Sequence, residues 1–223
     1  MTWFLAAEIS TPVKLFNYWR SSASYRVRLA LGFKGIPFEY VAVNLAKGEQ
    51  HDAAHVSRNP WHGVPVLQLD DGALIPQSIA IVEYLEETHP TPALFPKSPL
   101  DRARMRALVE TVNSGIQPLH NLQINNYVRD VLKGDVKAWC EKWIGQGLDA
   151  LEAMAKASSG QFMVGDQFTF ADACLLPQLF GARRFATVEP SRYPTLTSIE
   201  TRCLTLDFVQ KARPENQPDA TPA

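Results

Sequence analysis

Apolar positions in the first ninety residues change period several times. Val13, Leu15 and Phe16 form a short, partly β-branched run, after which Val27, Ala30 and Leu31 recur at helical spacing. Ser21 and Ser22 stand at the change and read as helix-cap hydroxyls, while Lys34 and Gly35 close the helix with a cation and a stop residue. Phe38 to Val43, FEYVAV, reads as a second strand, so strand, helix and strand imply a parallel crossover. From Asn44 to Asn59 the chain turns polar, as a loop with a short exposed helix would be. Val64 to Leu69 reads as a strand entered through Pro65, and Asp70-Asp71-Gly72 turns it into Ala73 to Ile75 as a hairpin. Pro76-Gln77-Ser78 opens a helix with Ile79, Val82 and Leu85 inward and Glu83, Glu86 and Glu87 toward water.

Four prolines between Pro90 and Pro99 can continue neither helix nor sheet and mark a linker. Beyond it the pattern is wholly helical. Met105, Leu108, Val109, Val112 and Ile116 form one stripe; Val136, Trp139, Cys140, Trp143, Ile144, Leu148 and Leu151 form another. Gly115 and Pro118 predict a kink, followed by a polar tract with Asn121, Gln123, Asn125 and Asn126. Thr169 to Asp172 is a Thr-x-x-Asp capping box opening a helix from Ala173 to Phe185, bent at Pro177, with Arg183 and Arg184 as cations near its end. The expected architecture is an α/β unit over 13–92, a linker over 93–99 and an all-α bundle over 100–213, with an extension over 1–12 and a tail over 214–223.

Bulk properties narrow the class. With 223 residues, 46% of them hydrophobic, the chain can bury a substantial core. A formal charge of −1 gives no global attraction to nucleic acid or anionic lipid, so charge recognition must be local. The three cysteines, Cys140, Cys174 and Cys203, lie in helical apolar patterns, as buried thiols of a reducing compartment do. The opening WFLAA has no basic start and is too short for a signal sequence or membrane span, which points to a cytoplasmic protein.

The candidate chemistry lies at the first strand–helix junction. A helix N-terminus delivered to a crevice offers unpaired N–H groups and the positive end of its dipole to an anion. Phosphate usually requires more glycine than Ser-Ser-Ala-Ser provides, and no cysteine lies in the stretch, which leaves a thiolate carried in on a cofactor. Lowering a thiol pKa from about 8.5 to about 6.5 takes ~2.7 kcal/mol. A helix terminus contributes about 0.3–1 kcal/mol and a hydrogen bond to a charged group about 1.5–3, enough without a metal or a protein base. Taken alone, Ser21 with Ser22, and likewise Gln77 with Ser78, are also ordinary helix caps.

The run Arg20-Ser21-Ser22-Ala23-Ser24-Tyr25-Arg26-Val27-Arg28 resembles the active-site signature of the zeta class of glutathione transferases, the maleylacetoacetate and maleylpyruvate isomerases. Asn59-Pro60 with Val64-Pro65, Gln77 to Glu86, Ile116 to Leu122, and Val164-Gly165-Asp166 through Asp172 match in the same order, spanning nearly the whole chain. The resemblance implies a thioredoxin-like glutathione-binding domain followed by a helical domain, glutathione as cofactor, and a homodimer. It also implies the residue roles. Ser21, with Ser22 assisting, would stabilise the glutathione thiolate; Gln50 would reach its backbone; Val64, before a cis Pro65, would pair with the cysteinyl unit. Gln77 and Ser78 would hold the γ-glutamyl carboxylate, and Gln117, Asn121 and Gln123 would contact the tripeptide across the cleft or the dimer. Arg20 and Arg184 would clamp a small dicarboxylate. The reaction implied is cis–trans isomerisation of maleylacetoacetate in aromatic amino-acid or aromatic-compound catabolism, or of maleylpyruvate, through reversible thiolate addition to the alkene. At Ala23, a cofactor-contacting position, well-known members carry a cysteine, which disfavours activities that depend on that thiol. A general glutathione transferase or peroxidase and a noncatalytic scaffold of the same fold are the competing readings.

Overall fold

The computed structural model describes residues 13–221. The opening segment read as an extension lies outside them. Four strands, β1 (Val13–Asn17), β2 (Phe38–Ala42), β3 (Val66–Gln68) and β4 (Leu74–Pro76), form one sheet in the order β2-β1-β3-β4. β1 and β2 are parallel, with Val13 opposite Phe38, and β3 runs antiparallel to both β1 and β4. The expected crossover and hairpin are therefore both present. β3 is shorter than the pattern suggested at both ends, because pairing starts only at Val66, one residue past the cis Val64–Pro65 bond.

Helix α1 (Ser22–Lys34) carries the crossover, and Gly35 closes it in the left-handed conformation, φ 67°. It packs against α3 (Ser78–Thr88) on one side and α7 (Phe170–Ala182) and α9 (Asp207–Ala212) on the other. Covered this way, α1 has almost no water-facing side: Ser24 to Leu31 are all buried, and Arg26 and Arg28 are bonded internally. Lys34 is likewise more than a dipole-matching cation. Its ammonium is enclosed, donating to Glu86 Oε2 at 2.7 Å and to the His89 and Pro92 carbonyls. Glu86 thus does not face water as expected; it also accepts the Leu94 and Phe95 N–H groups, and so fastens the proline-rich connection to α3.

A short α2 (Ala53–Val56) sits in the polar loop after β2. Ser98 caps α4 (Pro99–Glu110), so the last proline of the run begins a helix at the position where its missing N–H costs nothing. The expected kink is a π-helical turn, Thr111–Ile116, followed by a 3-10 turn, Gln117–His120, and then α5 (Leu122–Asp130). α6 (Val136–Ser158) and α8 (Pro194–Cys203) complete the bundle. α7 starts at Phe170 and ends at Ala182, three residues earlier than expected at each end. The capping box explains the shift, since Thr169 is the cap and Asp172 the third helical residue, which makes Phe170 the first. Arg183, expected as a solvated cation, forms a two-pronged pair with Glu200 at 2.6 Å per contact.

One apolar core runs from Leu15 and Leu67 of the sheet through Leu29 and Leu31 of α1 to Leu148, Cys174 and Leu176 of the bundle. On the sheet's other face Phe16, Val43 and Val66 form a small separate cluster. All three cysteines are buried and unpaired. No helix among the described residues is long and apolar enough to cross a membrane.

Candidate active site

A cleft of about 740 Å³ opens where the C-terminal end of β1 meets the bundle. The β1–α1 junction supplies Ser21 and Ala23, the loop after β2 supplies Gln50 and His51, and residues 59–65 form the opposite wall. Gln77 enters from the start of α3, and Gln117, Asn121 and Gln123 enter from the broken helix. The π turn matters here. By adding a residue to one turn and then handing over to a 3-10 turn, it re-aims the polar tract away from the phase of the buried Met105–Ile116 stripe.

Ser21 is the cap of α1, with φ −69° and ψ 118°, and its Oγ accepts the Ser24 N–H at 3.2 Å. The hydroxyl proton is not used in that bond and remains available for donation. α1 has no acidic residue in its first turn, so nothing there opposes an anion at its N-terminus. The sequence left Ser21 and Ser22 equivalent as caps; the backbone distinguishes them. Ser22 is the first helical residue and does not line the cleft, and a side chain added at Gly181 would meet Ser22 Oγ at 3.5 Å and the His120 ring at 3.6 Å.

Val64 lies outside the β3 ladder in the cleft wall. Gln50 Nε2 lies 3.2 Å from His51 Nε2, whereas its Oε1 is buried with no hydrogen-bond partner. Asn121 Oδ1 caps α5 by accepting the Ile124 N–H at 2.9 Å, which leaves its amide nitrogen for the cleft. Gln77 has a positive φ of 73° and makes no side-chain cap, so the α3 N-terminus is uncapped from within. Ser78 is buried and does not line the cleft. Its Oγ accepts from Arg26 Nη1 at 3.3 Å, and Arg26, 1% exposed, also donates to Asn113 Oδ1 at 2.8 Å.

Arg20 and Arg184 are exposed and neither lines the cleft, although Arg20 directly precedes Ser21 in the chain. Their guanidinium groups lie over the rings of Trp19 and Phe185 at 5.2 and 5.1 Å. Partial removal from water, and next the positive charge of Arg20, lower the pKa of Arg184. Neither arginine is in an ion pair among the described residues. Two neighbouring cations without a carboxylate partner can hold an anion of two charges.

Cleft residues that sequence reasoning missed include His51, Trp61 and His62, whereas Asn126 belongs to the polar tract read after the kink. Trp61 is 74% exposed, and His62 sits at φ 58° with its Nδ1 3.2 Å from that of His51. The three missed residues lie in the connection between periodic elements, where neither period nor capping gives a signal.

The family model described as "Glutathione S-transferase, N-terminal domain" matches residues 11–87, and that described as "Glutathione S-transferase, C-terminal domain" matches 137–198. The chain is 44% identical to a maleylacetoacetate isomerase of Mus musculus over 94% of its own length and 95% of the relative's. It superposes with a TM-score of 0.89 on a holo structure of a maleylpyruvate isomerase described as a bacterial zeta-class glutathione S-transferase, at 41% identity over 93% of this chain and 100% of that one. With a maleylacetoacetate isomerase of Anaeromyxobacter dehalogenans 2CP-1, solved with bound GSH in the active site, the TM-score is 0.87 at 46% identity over 94% and 98% of the two chains. That protein is also solved with dicarboxyethyl glutathione and citrate in the active site. Both family models and the close superposition over nearly the whole chain agree, and this chain belongs to the glutathione S-transferase family, in its zeta class.

Proposed function

We propose that this chain is a glutathione-dependent cis–trans isomerase that converts maleylacetoacetate to fumarylacetoacetate. The observation that carries the reading is the pairing of an anion-receptive α1 N-terminus, opening on an amide-lined cleft, with two arginines that have no ion pair among the described residues, Arg20 next to the Ser21 cap and Arg184 near enough to feel its charge. The residues present fit glutathione: the orphaned Gln50 Oε1 in the wall needs a donor, and Val64 has left its strand ladder beside it. When bound, glutathione supplies a thiolate whose reversible addition to the alkene allows the carbon–carbon bond to rotate.

The chain's own residues do the rest. Ser21 donates its free hydroxyl proton toward the cleft, and the first N–H groups of α1 add their dipole, so negative charge is favoured at that point. Gln50, Val64 and Gln77 orient the tripeptide along the wall, with Gln117, Asn121 and Gln123 on the facing side and Ala23 packing against it. Arg26 donates to Ser78 Oγ, so the Ser78 hydroxyl proton is not used in that bond, and the uncapped N-terminus of α3 receives the γ-glutamyl carboxylate. Ser22, the first helical residue behind the cap, assists through its backbone N–H, one of the unpaired donors at the α1 N-terminus. Arg20 and Arg184 hold the carboxylates of the substrate and so fix the alkene against the reacting centre. The enzyme acts as a homodimer in the cytoplasm, a setting that suits three unpaired buried thiols.

An ultraviolet assay with maleylacetoacetate and maleylpyruvate, each with and without glutathione, tests the reading. Expected is turnover of maleylacetoacetate that is abolished when glutathione is omitted. Turnover of maleylpyruvate alone would reassign the substrate, and no saturable binding of glutathione by calorimetry would remove the enzyme reading altogether.

A further inference from the structure

The C-terminal segment, which the sequence presents as a tail, is fastened to the loop that carries the candidate active site. After α9 the chain turns through Pro214–Asn216, and Gln217 Nε2 donates to the carbonyls of Lys211 and Arg213 at 2.8 and 2.7 Å. This brings Asp219 back to the end of β1. Asp219 Oδ2 accepts the Trp19 N–H at 3.2 Å, and its other oxygen accepts from the Tyr40 hydroxyl of β2. Arg28 of α1, 2% exposed, completes the arrangement from the inner side. Its Nε donates to the Ala212 carbonyl at 3.0 Å, its Nη1 to Asn17 Oδ1 and the Tyr18 carbonyl at 3.0 and 3.4 Å, and its Nη2 to the Trp19 carbonyl at 3.0 Å.

Residue Trp19 is therefore gripped at both its N–H and its C=O, by groups from the tail and from α1. The next two residues are Arg20, whose guanidinium lies over the Trp19 ring, and Ser21, whose N–H donates to the Tyr18 carbonyl at 3.0 Å. A short loop fixed at one residue passes that orientation to its neighbours. The Asp219 charge also acts on buried Arg28, which has no carboxylate in direct contact among the described residues and gains a counter-charge from it. We propose that Asp219 is a positioning residue: by holding Trp19 it sets the direction of Arg20 and hence the affinity of the site for its dicarboxylate substrate. This rests on the reading of Arg20 as a substrate clamp.

The test compares Asp219→Ala and Asp219→Asn in the full chain by amide exchange at Trp19, by steady-state kinetics and by thermal unfolding. In Asp219→Ala, exchange at the Trp19 amide is expected to rise about tenfold or more. KM for maleylacetoacetate should rise about 3–10-fold, with kcat and the glutathione Kd within about twofold of the parent. Asp219→Asn should restore both, because its carbonyl can accept the Trp19 N–H while its amide donates to the Tyr40 oxygen. If Asp219→Ala fails to fold, Tyr40→Phe removes one of the two anchors and should give a smaller change of the same kind. Faster Trp19 exchange with unchanged KM overturns the proposal, as does a parallel fall of kcat, KM performance and melting temperature that asparagine does not restore. An inactive parent would contradict the isomerase reading instead; malonate titration followed by tryptophan fluorescence then replaces KM, with the same fold-change expected.

Discussion

At the scale of single residues, Ser21 has a structural task as a cap and, in the proposed mechanism, a second one that experiment can separate from it. As the α1 cap it stabilises the fold by about 0.5–2 kcal/mol. In the proposed role, as a donor to a charged sulfur, it would contribute about 1.5–3 kcal/mol, or roughly 10–100-fold in rate. Ser21→Ala should therefore lower kcat by about that factor with little change in KM, whereas Arg184→Ala should chiefly raise KM. Equal turnover of Ser21→Ala and the parent would move the catalytic role elsewhere. His120 offers a different test. Burial lowers its pKa, opposed in part by its hydrogen bond to Gln178, so the unfolded chain takes up the proton first. Stability should fall as pH drops below about 6.5, until the folded pKa is reached. Buried Asp172, raised to about 6, contributes the opposite trend between about 4 and 6, so the His120 effect is read as the difference between the parent and His120→Gln in pH-dependent denaturation. The serine pair was legible because capping residues and a change of period coincide there. Which serine caps was not, since the choice depends on one residue's backbone angles.

At the scale of elements, burial on every side rather than amphipathicity defines α1. Its apolar spacing was readable, but the enclosure of Arg26, Arg28 and Lys34 was not, because Arg26 and Lys34 find their partners 52 to 87 positions away and Arg28 reaches Ala212, 184 positions on, as well as the nearby residues 17–19. Glu86 was misread for the same reason: on a helix wheel it faces water, yet the proline-rich connection folds back over it. Removing it leaves an enclosed ammonium and two N–H groups short of an acceptor. Glu86→Ala should thus cost about 3–5 kcal/mol, measured as a lower urea midpoint with unchanged slope. The π turn gives a second check. A Cβ at Gly147 of α6 would come within 2.3 Å of Ile116 Cγ1, so α6 packs too closely against the end of the π turn to admit a side chain there without a shift. Gly147→Ala should destabilise by about 1–3 kcal/mol and weaken glutathione binding through the displaced Gln117 and Asn121; unchanged stability would show that the contact relaxes without effect.

At the scale of the whole molecule, one core joins the sheet layer to the bundle, and the cleft is the seam between them that this core does not fill. The two-part order was legible from the change of period across four prolines, and the resemblance motifs identified most of the polar cleft wall. His51, Trp61 and His62 were not legible, because a loop between two periodic elements has no pattern to read. The central claim is spatial: a borrowed thiol is held at the start of α1. A crystal structure with reduced glutathione tests it most directly. The account requires the sulfur within hydrogen-bonding distance of Ser21 Oγ, with the γ-glutamyl carboxylate at the start of α3. A tripeptide bound with its sulfur directed away from α1 would contradict it.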